Sequence, residues 1–262
     1  MLGAIIGDIV GSRFEWHNNR SKEFEFLSHK CFFTDDTVMT LAIAKAILTS
    51  KEDYSDLSEK AVYWMQTVGR KYPNCGYGGH FGKWIYEDDP KPYGSYGNGA
   101  AMRVSACGYA AKSQEEAIML SRKVTEVTHN HKEGLKGAEA TAVAIYMART
   151  GHSIDDIRNY IREHYYKIDF KLDDIRDNYY FNETCQGTVP QAIVAFLEST
   201  SYEDAIRNAI SIGGDSDTLA AITGGIAQAY YGIPDVIRKK AITYLDKELL
   251  SILLEFENKY DC

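Results

Sequence analysis

Two short acidic stretches stand out by what they could do chemically. Thr34-Asp35-Asp36-Thr37 and Asp215-Ser216-Asp217-Thr218 each place two carboxylates and two hydroxyls directly ahead of an apolar run. A single anionic residue suffices at a helix N-terminus, where it contributes about 0.3–1 kcal/mol. The second carboxylate is surplus to that role. If the two stretches meet, their carboxylates crowd together and repulsion raises their proton affinity. A divalent cation resolves the conflict, and an all-oxygen donor set selects a hard ion such as Mg²⁺, Mn²⁺ or Ca²⁺. The carboxylates of both stretches together balance two such ions, an arrangement that stabilises attacking and leaving oxygens. The plainer alternative is that each stretch is an over-decorated helix cap. The two readings separate on whether the stretches touch.

Other motifs carry less. Gly94-Ser95-Tyr96-Gly97-Asn98-Gly99 runs into an Ala-rich stretch from Ala100. Amides free of Cβ atoms at a helix start suit a diphosphate, and equally make an ordinary turn and cap. His129 and His131 lack a third ligand at zinc spacing, so hydrogen-bonding or surface histidines are the simpler reading. An EF-hand beginning at Asp215 would need a glutamate where Ile226 stands. A phosphatase of the haloacid-dehalogenase type, with Asp215 as nucleophile, needs an apolar strand where Gly213-Gly214 stand, and Thr218 comes one position too early. There is no GxxxxGK[ST] motif.

The positioning elements read as helices. Val38–Leu48, 100–111, 137–148 and 217–231 are apolar or rich in small residues and belong at the centre. Segments 55–69, 113–127, 202–211, 234–244 and 246–258 are amphipathic and peripheral. A further helix opens near Thr188 as cap, with Pro190 in its first turn. Strand signals at 24–33 and 165–172 are short and isolated. The stretch 72–99 is glycine-rich and holds Pro73, Pro90 and Pro92; its aromatic residues argue for an ordered, functional loop. The chain therefore reads as one all-α domain over residues 1–262.

Composition bounds the rest. A formal net charge of −8 argues against a nucleic-acid backbone as partner. Cys31, Cys75, Cys107, Cys185 and Cys262 show no metal-type spacing and read as reduced thiols of a cytoplasmic protein. The first residues lack a basic leader, and no apolar run is long enough to span a membrane.

Taken in order, "GAIIGDIVGSRFE" (3–15), "FTDDT" (33–37), "GYGG" (76–79), "GSYGNGAAMRVS" (94–105), "VTHNH" (127–131), "TVPQAIVAFLES" (188–199) and the stretch 212–232 resemble the ADP-ribosylglycohydrolase family over nearly the whole chain. The first, third and fourth look closer to its serine-type branch. The resemblance implies a compact, orthogonally packed all-α fold with a central metal cleft. It implies two Mg²⁺ (or Mn²⁺) ions held by Thr34, Asp35, Asp36, Asp215, Asp217 and Thr218. Glu15 matches a glutamate near the reacting centre that gates the site, and by its chemistry it could also act as base. Ser95, Gly97, Asn98 and Gly99 match diphosphate and ribose contacts, Tyr96 an aromatic beside the adenosine, and His129 a ligand contact. Met102 and Arg103 match as well, Arg103 as a candidate structural ion-pair partner, and Asp8 as a cap or a support to the ligands. The activity implied is hydrolysis of the bond between the distal ribose of ADP-ribose and an acceptor on a protein or small molecule. Two alternatives remain open at this point: a catalytically silent ADP-ribose-binding relative, and the phosphohydrolase using Asp215.

Overall fold

Short polar side chains start the helices. Thr34, Ser113, Ser153, Thr184 and Ser201 each stand immediately before one and accept a backbone N–H from its first turn. The computed structural model describes residues 1–260 and is built from helices α1 (Leu2–Gly11), α2 (Asp35–Thr49), α3 (Leu57–Gly69), α4 (Gly79–Trp84), α5 (Gly99–Met102), α6 (Ser105–Ala110), α7 (Gln114–Thr125), α8 (Lys132–Arg149), α9 (Ile154–His164), α10 (Leu172–Ile175), α11 (Cys185–Leu197), α12 (Tyr202–Ile210), α13 (Ser216–Tyr231), α14 (Asp235–Ala241) and α15 (Lys247–Tyr260).

The centre is the pair α1 and α13. Gly3, Gly7 and Gly11 form one i, i+4, i+8 ridge of α1, and they face Gly224, Ala220 and the Ser216–Asp217 backbone of α13. A Cβ at Gly7 would fall inside the Ala220 carbonyl, so the two backbones touch directly. This contact sets the height of Asp8 on one helix and Asp217 on the other. Helix α2 is buried along almost its whole length and packs beside them, while α8 and α11 close the remaining sides of the core.

Two expectations about the helices need correcting. The helix expected over 100–111 is broken at Arg103 and Val104 into α5 and α6, because the Arg103 side chain turns inward to Val124 O and Thr128 Oγ1. Helix α11 starts one turn earlier than Thr188, capped by Thr184, so Pro190 lies within it rather than in its first turn. No strand forms among the described residues. Residues 24–33 and 165–172 have no partner strand, and a lone bridge joins Gly97 to Thr184. That absence also removes the parallel sheet required by the phosphohydrolase alternative. Cys31, Cys75, Cys107 and Cys185 carry free thiols, and Cys262 lies outside the described residues. No helix among the described residues is long and apolar enough to cross a membrane.

Candidate active site

The two acidic stretches meet. Thr218 Oγ1 donates to Asp36 Oδ2 at 3.2 Å, across 182 residues of chain. Both stretches sit at the starts of central helices, α2 and α13, whose positive ends converge on the same cleft. Asp8 on α1 fixes the first start from outside. Its carboxylate accepts the Thr34 N–H at 2.9 Å, the Thr34 hydroxyl at 2.7 Å, the Thr37 N–H at 3.1 Å and the Thr37 hydroxyl. The Asp35 N–H is held by Cys75 O at 2.8 Å. The second start hangs on a two-glycine turn, with Gly213 and Gly214 at φ +67° and +77°, where side chains are strained.

That turn is braced by a segment whose sequence matched no motif. Asn18 Oδ1 accepts the Gly214 N–H at 2.8 Å, and the Arg20 guanidinium donates to the carbonyls of Ile212, Arg176 and Tyr179. Isolated Asn and Arg residues in an irregular stretch carry no periodic signal, so only the folded backbone reveals their role.

The cleft encloses about 270 Å³ and is lined by Glu15, Asp35, Asp36, Asp215, Asp217 and Thr218 at its acidic end. Ser95, Gly97, Asn98, Gly99 and His129 line the same cleft. Two expected residues lie off the cleft. Tyr96 is exposed, with its ring beside His131, and contributes only its carbonyl, which accepts the Cys185 N–H at 2.9 Å. The Thr34 hydroxyl donates to Asp8 and accepts the Asp36 N–H, and Thr34 lines a neighbouring cavity that also borders Glu15. Conversely, Tyr93, Phe181 and Glu183 line the cleft without having been picked from the sequence. Glu183 O receives the Asn98 N–H at 2.7 Å, and Phe181 stacks on Trp16 at 5.0 Å between ring centroids.

Electrostatics at the acidic end are unbalanced by protein alone. Ligand oxygens of Glu15, Asp215 and Asp217 lie within 4.8 Å of one another. Asp36 Oδ1 is buried with no hydrogen-bond partner. Among the described residues no Lys or Arg forms an ion pair with Asp8, Glu15, Asp35, Asp36, Asp215 or Asp217. Burial, then the neighbouring Asp217 charge, pushes Asp35 and Asp36 well above the usual carboxylate range. Asp217 is raised likewise, by burial and then by Asp215. Burial lifts Asp8 and Asp215 to about 6, and burial with the Asp217 charge lifts Glu15 to about 7. A set of buried oxygen donors with a surplus of negative charge fits hard divalent cations and little else.

A helical body whose two acidic helix starts face a glycine-rich loop defines a helical hydrolase. The chain belongs to the ADP-ribosylglycohydrolase family, matching it over residues 1–257. It is similar to ADP-ribosylhydrolase ARH3 of Xenopus tropicalis, with 27% identity over an alignment covering 95% of this chain and 91% of that protein. It is also similar to ADP-ribosylarginine hydrolase Tri1 of Serratia proteamaculans, at 24% identity over 97% of this chain and 76% of that protein. A solved structure described as an ADP-ribosylglycohydrolase-related protein complex shares the fold, with a TM-score of 0.69 and 23% identity over 98% of this chain and 95% of that one.

Proposed function

We propose that this enzyme uses divalent cations, Mg²⁺ or Mn²⁺, to hydrolyse the bond between the distal ribose of ADP-ribose and an acceptor on a protein or small molecule. The observation that carries the reading is the contact between Thr218 and Asp36, which makes one buried acidic site from two helix starts without a neutralising cation side chain. Asp35, Asp36, Asp215, Asp217 and Thr218 would hold the ions, with Glu15 alongside and Thr34 supporting the first helix start. Bound there, the ions would supply Lewis-acid stabilisation of developing oxygen charge.

The remaining roles belong to the chain itself. Ser95, Gly97, Asn98 and Gly99 would receive the diphosphate and proximal ribose, with Tyr96 at the rim beside the base. Glu15 lines the cleft beside Asp215 and Asp217, where its carboxylate would serve as general base. It would take a proton from the attacking water as the new bond to the anomeric carbon forms. The bond to the acceptor breaks as the new one forms, and the proton that Glu15 took from the water passes to the departing acceptor.

The test is release of free ADP-ribose from ADP-ribosylated arginine, ADP-ribosylated serine and O-acetyl-ADP-ribose, with Mg²⁺ or with chelator. Turnover on one of them that chelation abolishes supports the reading. Tight ADP-ribose binding with no turnover on any of them identifies a silent relative instead, and turnover indifferent to chelation overturns the cation's role.

A further inference from the structure

We infer that Arg103 and Thr128 lock His129 in the tautomer that carries its proton on Nε2. The histidine thereby offers one neutral donor to a diphosphate oxygen in the cleft. The ligand in this statement rests on the function proposed above; the tautomer does not.

The argument is a count of hydrogen-bonding capacity. Arg103 is fully buried, and its Nη2 donates to Thr128 Oγ1 at 2.7 Å and to Val124 O at 3.3 Å. Guanidinium has no acceptor, so the Thr128 hydroxyl must send its own proton elsewhere. Two acceptors are within reach: His129 Nδ1 at 2.7 Å and Thr125 O at 3.4 Å. Thr125 O already receives the Thr128 N–H at 3.1 Å and the His129 N–H at 2.8 Å, which uses both its lone pairs. The hydroxyl proton therefore goes to Nδ1, and Nδ1 can accept it only if the ring proton sits on Nε2.

The surroundings keep the ring neutral. His129 is buried, and burial together with the Arg103 charge holds its proton affinity well below the usual histidine range. Arg103 itself remains charged, lowered by burial only to about 10. It forms no ion pair among the described residues, so the positive charge expected from the sequence to be structurally paired is instead directed through Thr128 at the histidine. Nε2 makes no hydrogen bond within the described residues and faces the loop. A Cβ at Gly99 would lie 3.4 Å from it and one at Gly97 3.6 Å. Glycine at both positions leaves the donor's approach open. A polarised neutral donor beside the glycine-rich loop suits a phosphate oxygen.

Arg103 and Thr128 are thus positioning residues that act through His129. The test combines ring-nitrogen NMR of the unliganded protein with binding of ADP-ribose and of ADP, which keeps the diphosphate and lacks the distal ribose. Wild-type His129 is expected to be protonated on Nε2. Thr128→Val is expected to mix the tautomers and to weaken both ligands by about ten-fold, the usual cost of a hydrogen bond to a charged group. Thr128→Ser should restore both readouts. A wild-type ring protonated on Nδ1 overturns the inference, whether or not any substrate is hydrolysed and whether or not Thr128→Val folds. So does a Thr128→Val protein that binds both ligands as wild type does. Loss for ADP-ribose alone would move the contact to the distal ribose and overturn its assignment to the diphosphate.

Discussion

Asn98 donates its side-chain amide to Asp215 Oδ2 at 2.7 Å and to Thr188 Oγ1 at 3.2 Å. The glycine-rich loop and the second acidic helix start are therefore joined through the Asn98 side chain. Asn98→Ala removes that link and strips a buried carboxylate of a donor. A lost hydrogen bond to a charged group costs about 1.5–3 kcal/mol, so kcat/KM should fall about 10- to 100-fold. Steady-state release of ADP-ribose measures it, and a variant within two-fold of wild type would show the link to be idle.

Asp36→Asn separates charge from shape. The side chain keeps its size, while the buried site loses one of the negative charges that repel Asp217 and Asp215. Without divalent cation the variant should melt at a higher temperature than wild type. With Mg²⁺ the order should reverse, because the wild type gains binding energy that the variant forfeits. Turnover should drop by about 100-fold or more. Paired melting curves with Mg²⁺ and with chelator check the reversal.

The metal-free protein should lose stability as pH rises. Asp8 and Asp215 are lifted from 3.8 to about 6, and Glu15 from 4.5 to about 7, chiefly by burial. Between those limits the native state holds more protons than the unfolded chain, so the unfolding free energy falls with increasing pH. The contribution is fully present below about pH 4 and gone above about pH 7. Denaturant titrations in chelator at about pH 5 and about pH 7.5 should show the decline, and saturating Mg²⁺ should flatten it.

Gly7→Ala tests the contact between α1 and α13. The added methyl would occupy the Ala220 carbonyl, and backbone on both sides resists displacement. Overpacking of this kind costs about 1–3 kcal/mol and occasionally more. Gly79→Ala is the control. It is the first residue of α4 with nothing within 4 Å of its Cβ position, and its stability should stay within about 0.5 kcal/mol of wild type.

The amphipathic helices were legible because one stripe of apolar residues suffices to mark them. Helix α7, expected over 113–127, spans Gln114–Thr125, and α12, expected over 202–211, spans Tyr202–Ile210. The acidic residues were legible because a cap needs one carboxylate and each stretch has two. What escaped depended on tertiary partners. The break between α5 and α6 comes from a buried arginine reaching a threonine 25 residues away, and local propensity favours a continuous Ala-rich helix there. Asn18 and Arg20 act through backbone groups of the 212–214 turn, and Glu183 supports Asn98 by its carbonyl, so their side-chain types gave no clue. Helix α4 was hidden inside a stretch whose glycines read as loop.

The touching backbones of α1 and α13 also impose a schedule. Roughly two hundred residues separate the two helices, so at about 5–20 residues per second a nascent chain waits some 10–40 s before α1 finds its partner. Through that interval α1, apolar but for Asp8, has α2 beside it but lacks the helix that covers its glycine ridge. The same delay guards the chemistry. Before α13 emerges the second acidic helix start does not exist, so a chain released early lacks half of the acidic cleft.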